Sequence, residues 1–171
     1  MATYKWYKDG YAMPHHRPGE APFQRTINAP AIVAAGANGG MANTSDVRQT
    51  ITTEFAASDV LQIFQLPLGF CVRMVAVVAT TLEGATCTAD IGCLTASQNH
   101  LGKSAADDWM GTIDLNGTAN LAQINLIADT GLGGSTYEGV VMITNGSADM
   151  TLGHTIGTAI FKVALMGNKL W

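Results

Sequence analysis

The chain has 171 residues, of which 47% are hydrophobic and only 13% are charged, and its formal net charge is −4. A chain of this length corresponds to one domain, or to one domain plus an arm, and it can bury a core without a metal or a disulfide. The charged fraction, about half the usual ~25%, excludes a disordered chain, a coiled coil and a highly charged helix bundle, and the negative net charge excludes a generally basic nucleic-acid binder.

Residues 1–50 differ in composition from the remainder of the chain. They contain four of the five prolines and the stretch AAGANGGMAN, and they show neither helix nor strand periodicity. Five basic and three acidic residues make this part +2, whereas four basic and ten acidic residues make residues 51–171 −6. The sequence therefore predicts an extended, irregular N-terminal arm over residues 1–50 and an acidic body over residues 51–171.

Aromatic and basic side chains are interleaved in the arm, and these residue types dominate the hot spots of protein interfaces. Disordered tails lack aromatic residues, so we expect the arm to lie against its own body, a sister subunit or a partner protein. A charge of +2 is too small for a nucleic-acid partner, although aromatic and basic groups together can bind single strands. The predicted partner-binding residues are Tyr4, Trp6, Tyr7, Tyr11, His15, His16, Arg17, Phe23 and Arg25.

The body consists of short strand-like runs separated by glycine-rich turns. The predicted strands are residues 51–55, 60–66, 70–82, 85–94, 112–115, 121–128, 139–145 and 158–166. Alternation within these runs predicts that Val72, Met74, Val78, Ile91, Ile124, Leu126, Val141, Ile143, Ile160 and Val163 form the core. Residues 104–109 carry a helix N-cap pattern, which indicates a helix of at most two turns. The sequence predicts an all-β fold, a jelly-roll-like antiparallel β-sandwich preceded by the arm.

Motifs of enzyme chemistry are weak in this sequence. The glycine-rich runs at 36–40 and 131–134 do not open onto a helix with a lysine, and no Gly-x-Ser-x-Gly elbow occurs. Cys87, Cys93 and His100 are spaced like no common zinc site. All three cysteines, Cys71, Cys87 and Cys93, lie in apolar or alternating runs, which favours small core or sheet residues over a disulfide.

Neither the carboxylates nor the N-terminal segment of this sequence gives a strong indication of function. Asp90 with Asp107 and Asp108 offers a carboxylate pair for glycoside hydrolysis, but a solvated loop is the simpler interpretation. No stretch reaches the roughly 18 apolar residues of a membrane span, and the N-terminus lacks the apolar segment of a secretory signal. We therefore expect no enzyme activity, no cofactor, no metal and no membrane partner.

Residues 67–92, PLGFCVRMVAVVATTLEGATCTADIG, resemble a segment of small tailed-phage virion proteins encoded near the major capsid gene. That segment contains Pro-x-Gly, a valine-rich strand, Thr-Thr-x-Glu-Gly-Ala-Thr, a second strand and Asp-Ile-Gly. Residues 113–117, Ile-Asp-Leu-Asn-Gly, are similar to a second segment of the same group. The resemblance covers about half of the chain, residues 59–117, and includes no catalytic residues.

The resemblance implies a non-enzymatic virion protein, a head decoration or cement protein on the outer surface of the phage head. Such a protein is made in the host cytoplasm and stabilises the head by bridging subunits of the major capsid protein. Low charge, eight methionines and strands that are apolar on both faces predict apolar surface hidden by sister subunits, and we expect a trimer. The alternative is a receptor- or glycan-binding module of a head or tail fibre, for which Trp109 and Tyr137 are the aromatic candidates in the body.

Overall fold

The computed structural model describes residues 3–4, 23–31, 41–42, 48–49, 55–102, 104–130 and 136–170. Within these residues the strands are β1 (Thr3–Tyr4), β2 (Phe23–Asn28), β3 (Met41–Ala42), β4 (Arg48–Gln49), β5 (Val60–Leu66), β6 (Phe70–Thr81), β7 (Thr88–Gly92), β8 (Met110–Asp114), β9 (Ala122–Leu126), β10 (Ala128–Thr130), β11 (Thr136–Glu138), β12 (Val140–Val141), β13 (Gly146–Leu152) and β14 (Ile160–Lys169). One short 3-10 helix spans Ala96–Gln98. The all-β prediction is confirmed.

Ten of these strands form two five-stranded sheets, and eight of the ten have the arrangement of a jelly roll. One sheet contains the row β5-β13-β7-β8, with β1 added beside β5. The other contains the row β9-β6-β14-β2, with the two-residue strand β12 beside β6 on the same side as β9. Every pairing within these two rows is antiparallel. Because β2 pairs with β14, the first and last long strands are neighbours, as the double Greek key of a jelly roll requires. The predicted jelly-roll-like sandwich is therefore confirmed.

The core lies between the two sheets and receives large side chains from both. Phe64 of β5 and Phe161 of β14 are buried there, together with Trp109 and Phe55 from the adjoining loops. Cys71, Cys87 and Cys93 are buried and free, which confirms the prediction that they are small core or sheet residues: Cys87 and Cys93 belong to the core, and Cys71 is buried in β6. The face-to-face packing of the two sheets buries the apolar surface that stabilises a chain of this size without cross-links.

Strand β2 lies inside the predicted arm. It pairs with β14 from Leu165 to Ile160, and Ile27 at its inward end is fully buried. The apolar alternation of this strand is hidden in the sequence, because Arg25 occupies an inward position and is only 6% exposed. Residues 23–28 therefore belong to the sandwich.

Strand β13 is the largest omission of the strand prediction. The Asn145-Gly146 pair indicates a turn and Asp149 is a poor strand former, yet β13 lies between β5 and β7 in the middle of its sheet. Two of its buried polar side chains bond to each other, since the Ser147 hydroxyl donates to the Asp149 carboxylate at 2.7 Å. The predicted helix at residues 104–109 is wrong, because the described part of this segment forms turns.

The core prediction is right for three residues, Val72, Ile91 and Val163, which are buried. Four residues are partly buried, namely Met74, Val78, Val141 and Ile160. Three are wrong, since Ile124, Leu126 and Ile143 are 58%, 73% and 46% exposed.

A bulge in β6 explains part of this difference. The register between β6 and β14 shifts by one residue at Arg73. Val72 faces the core before the shift, whereas Val75 and alternate residues after it face the core beyond the shift. Alternation carried through from Val72 therefore assigns Met74 and Val78 to the wrong face, because an extra residue reverses the faces of the strand.

Candidate interaction surface

The polar side chains of β9 are directed towards β8 of the other sheet, where Gln123 is partly buried and Asn125 is exposed. Gln123 bonds to the backbone of Asp114 in β8 in both directions, accepting from its N–H at 2.8 Å and donating to its carbonyl oxygen at 2.6 Å. The Asn125 amide donates to the carbonyl oxygen of Trp109 at the other end of β8. These two amides tie the edge strands of the two sheets together, and the alternate residues of β9 must face outward.

The outward-facing side chains of β9 are apolar. Ile124 is 58% exposed and Leu126 is 73% exposed, and Leu121 beside the strand is 60% exposed. A sequence pattern cannot distinguish this arrangement from its inverse, since Ala-Gln-Ile-Asn-Leu alternates equally well in either phase. The hydrogen bonds of the amides to β8 decide the phase.

Neighbouring strands continue this row into an apolar outer face. Leu126 lies opposite Met74 of β6, which lies opposite Met166 of β14, and paired residues of a sheet share one face. The next row is Ile124, Ala76 and Ala164. We call these residues, with Ala122, the apolar outer face. Contiguous apolar surface of this kind marks an interaction site more often than isolated exposed residues do.

Charge is nearly absent from the apolar outer face. Lys162 of β14, opposite Val78, and Arg73, directly before Met74 in β6, are cations at its border, and the two rows themselves contain no ionisable side chain. A face without carboxylates or several cations is unsuited to binding phosphates or ions, and it suits another apolar protein surface.

Glu83, within the segment that carries the resemblance, has a structural role. Its carboxylate accepts the backbone N–H groups of Gly157, Thr158 and Ala159 at 3.0, 3.0 and 3.1 Å, and the Thr158 hydroxyl at 2.7 Å. Burial would raise the pKa of Glu83, but these hydrogen bonds outweigh it and lower the pKa from 4.5 to about 2. The carboxylate thus anchors the loop before β14 to the turn after β6.

The second segment of the resemblance contacts the same turn. The Asn116 side-chain amide donates to the carbonyl oxygen of Glu83, and Glu83 N–H donates to the carbonyl oxygen of Leu115 at 3.0 Å. Asp114 accepts the N–H groups of Asn116 and Gly117, both at 2.8 Å. A Cβ on Gly117 would lie 1.9 Å from the Asp114 carboxylate. The two segments therefore form one turn cluster at an end of the sandwich.

Asp149 in β13 is a deeply buried carboxylate, at 2% exposure. It accepts the Leu94 N–H at 3.0 Å and the Ser147 hydroxyl at 2.7 Å. Burial raises its pKa, and hydrogen bonds from Leu94, Ser147 and Gln62 offset part of the rise. The group holds the loop after β7 against β13, and it lies inside the sandwich away from any partner.

The predicted partner-binding residues divide between described and other parts of the chain. Tyr4 lies in β1, beside Leu61 of β5, and Phe23 and Arg25 lie in β2. Arg25 is 6% exposed, which leaves little of its side chain for a partner. Trp6, Tyr7, Tyr11, His15, His16 and Arg17 lie outside the described residues. Partner binding by these residues stays a prediction.

The side chains considered as metal ligands or nucleophiles are buried or hydrogen-bonded within the fold. Burial raises the pKa of Cys93 and raises that of Cys87 to about 11, so both are thiols at neutral pH. His100 Nδ1 accepts the N–H of Val141 at 3.0 Å. In the part of the chain that the structure describes, no three His, Cys, Asp or Glu side chains are grouped as metal ligands.

The carboxylate and aromatic candidates also contact the protein itself. Asp90 accepts the Thr112 N–H at 2.7 Å, and Asp108 accepts the Ala105 N–H at 3.0 Å. Trp109 is 1% exposed, so it is closed to a glycan, and the Tyr137 side chain lies outside the described residues. None of the described helical segments has the length and hydropathy of a membrane span.

The fold is similar to that of a known capsid component. No protein-family model and no curated protein matches the sequence. A chain of the capsid of Ralstonia phage GP4 matches in structure with a TM-score of 0.50, and the match covers 97% of this chain and 96% of that chain. The two sequences are 11% identical, so the likeness is one of fold, and it extends over nearly the whole of both chains.

Proposed function

We propose that this protein is a structural component of a bacteriophage head, a decoration or cement protein that binds the outer surface of the capsid. The observation that carries the proposal is the fold shared over nearly the whole of both chains with a component of a phage capsid. Its action is mechanical and involves no catalytic step. By bridging neighbouring subunits of the major capsid protein, it adds buried area across their joints and resists the pressure of packaged DNA.

The arm supplies the contact with the major capsid protein in this proposal. Trp6 and Tyr7 are its principal anchors, and Arg17 pairs with a capsid carboxylate. Residues 5–22 lie between Tyr4 in β1 and Phe23 in β2, and β1 and β2 belong to different sheets of the sandwich. The intervening residues have the reach to cross to a neighbouring capsid subunit, at up to roughly 3.3 Å per residue.

A homo-oligomer is part of the proposal, and the apolar outer face supports it. Burial of exposed apolar side chains such as Leu126 against another subunit stabilises the assembled state. The trimer expected from composition stays a prediction. Multiple arms on one oligomer raise the effective affinity for the capsid without further contacts per subunit.

Comparison of particles made with and without the gene tests the proposal. We expect a decoration protein on the order of hundreds of copies per particle, on the outer surface of the head, in an electron cryomicroscopy map and by quantitative mass spectrometry. Particles that lack the protein should lose their DNA at a lower temperature. Density confined to the tail or a fibre, or tens of copies per particle, would contradict a role as cement.

A further inference from the structure

One edge of the β9-β6-β14-β2 row is unpaired among the described residues. Ile127 N–H donates to the carbonyl oxygen of Arg73 in β6 at 2.8 Å. In an antiparallel pair, alternate residues direct their N–H and C=O groups to opposite sides of the strand. The odd-numbered residues of β9 therefore bond to β6, and Ala122, Ile124 and Leu126 direct their backbone groups away from it.

The other edges of the two sheets carry the usual protection against pairing with another molecule. At the edge of β8, Thr112 has a left-handed φ of 55°, the register with β7 shifts, and Asp114 adds a charge. The edge of β5 is covered in part by β1. Strand β2 carries the inward-facing Arg25. Distorted backbone, covering segments and inward charges all prevent edge-to-edge association.

Strand β9 has none of these protections. No charged residue and no proline occurs between Asp114 and Asp129, and the pairing of β9 with β6 runs without a register shift. Its outward side chains, Ile124 and Leu126, are more than half exposed. A regular, uncharged strand with exposed apolar side chains and outward backbone groups is suited to pairing with another strand.

We propose that β9 pairs with β9 of a second copy of this chain, antiparallel and across a two-fold axis at Ile124. The two rows then form one continuous sheet of eight strands. A two-fold axis at Ile124 places Ala122 opposite Leu126 of the second copy, so that all three outward-directed residues of each strand are paired. Any other two-fold register leaves at least one of them without a partner, which favours this one.

Side-chain size and charge also favour a second copy as the occupant. Small Ala122 lies beside large Leu126 of the second copy, and the two Ile124 side chains lie together on the outer face, where each shields the other from water. The edge presents no charge for an oppositely charged partner to recognise. A two-fold contact produces a dimer, which differs from the trimer expected from composition. The inference does not depend on the particle to which the protein binds.

The oligomeric state of the isolated full-length protein tests this inference. Sedimentation velocity over about 1 to 100 µM should show a species of about 36 kDa, twice the mass of the 17.9 kDa chain. Ile124→Lys should reduce this to the mass of one chain, because two lysines would meet at the axis. Ile143→Lys is the matched control, since Ile143 is similarly exposed, at 46%, but lies outside β9, and it should leave the dimer intact. Circular dichroism establishes that both variants are folded.

Cross-linking tests the register. Directly opposed residues of a hydrogen-bonded antiparallel pair have Cα atoms about 5.5 Å apart, within the range of a disulfide. Ile124→Cys should form a disulfide-linked dimer under mild oxidation, whereas Ile143→Cys should not, and the three native cysteines are buried. A monomeric or trimeric wild-type protein, a dimer that survives Ile124→Lys, or equal cross-linking of the two cysteine variants would overturn the inference. Failure of the protein to bind phage heads would contradict only the proposed function.

Discussion

At the scale of single residues, carboxylates of this protein act as structural hydrogen-bond acceptors. Glu83 and Asp149 both accept backbone N–H groups, but their surroundings shift their pKa values in opposite directions. Glu83 has enough hydrogen bonds to favour the charged form, whereas burial dominates at Asp149. The two groups therefore contribute to stability in different pH ranges.

Replacement of Glu83 by glutamine should lower the free energy of unfolding at pH 7 by about 1–2 kcal/mol, because a neutral amide accepts these hydrogen bonds less strongly and the group is partly exposed to solvent. The folded-state pKa of Glu83 is lowered to about 2, so its contribution is full above about pH 4.5 and declines as the pH falls towards 2. Urea unfolding at several pH values measures the difference from wild type.

Asp107→Asn is the control for the Glu83→Gln variant. Asp107 is an exposed carboxylate in the loop before β8, and its replacement should change stability by less than about 0.5 kcal/mol. Equal stability of Glu83→Gln and wild type at pH 7 would show that the carboxylate does not anchor the loop before β14.

Replacement of Asp149 separates hydrogen bonding from charge. Asp149→Ala leaves the Leu94 N–H and the Ser147 hydroxyl without their acceptor and should cost about 2–3 kcal/mol. Because the folded-state pKa of Asp149 is raised, its stabilising contribution is full at low pH and declines as the pH rises through the raised pKa.

Asp149→Asn keeps a hydrogen-bond acceptor but has no group that titrates. The free energy of unfolding of wild type should therefore fall relative to that of this variant as the pH rises. Unfolding free energies of the two proteins across the acid-to-neutral range measure it. A difference that does not change with pH would show that Asp149 titrates as it does in the unfolded chain.

At the scale of secondary structure, strands β9 and β2 show why periodicity is insufficient. Alternation correctly locates β9, but it assigns Ile124 to the core. The phase follows from the bonds that Gln123 and Asn125 make to β8, a strand nine or more residues earlier in the chain. Such bonds compete with apolar burial, since an unsatisfied amide in the core is costly.

The phase of β9 predicts the effects of truncating its side chains. Ile124→Ala should change the free energy of unfolding by less than about 0.5 kcal/mol, whereas Ile91→Ala in β7 should cost about 2–4 kcal/mol, because Ile91 is fully buried. Chemical denaturation at submicromolar concentration, where association contributes little, gives both values. A large loss for Ile124→Ala under these conditions would contradict the outward phase.

Strand β2 predicts where the chain can be shortened. Removal of residues 1–22 deletes β1 from the edge of β5 but should leave a folded sandwich. Removal of residues 1–31 also deletes β2, opens the edge of β14 and exposes the core that Ile27 covers. We expect the longer deletion to lose at least about 3 kcal/mol of stability or to aggregate. Thermal unfolding followed by circular dichroism compares the two. Equal stability of both truncated chains would show that β2 is dispensable.

At the scale of the whole molecule, the arm and the apolar outer face have separate tasks in the proposed function. We propose that the arm binds the capsid and that the outer face associates subunits. This division predicts that a change in one leaves the other intact, because residues 1–22 and strand β9 are separate parts of the chain.

Removal of residues 1–22 should abolish binding to phage heads while folding and self-association remain. Trp6→Ala in the full chain should weaken binding about ten-fold or more, as hot-spot aromatics do. Co-sedimentation of purified protein with heads that lack it measures both. If the shortened chain binds heads as well as the full chain, the arm only covers its own sandwich.

The sequence by itself determined the fold class, most of the long strands and the buried state of the cysteines. These features depend on local patterns, such as the Pro67-Leu68-Gly69 turn, in which Gly69 has a positive φ of 78°. Alternation and turn residues act over a few positions, so they can be recognised without knowledge of the rest of the chain.

Tertiary structure alone decided which face of each strand is buried, and that β2 and β13 are strands at all. Arg25 and Asp149 are polar residues buried in the sandwich, and Gln123 is a partly buried residue that bonds to β8 at its edge. The partners of Asp149 and Gln123 come from other strands and loops, and a bulge at Arg73 reverses the faces of β6. The apolar outer face exists for the same reason, since the inward bonds of β9 leave its apolar side chains in solvent.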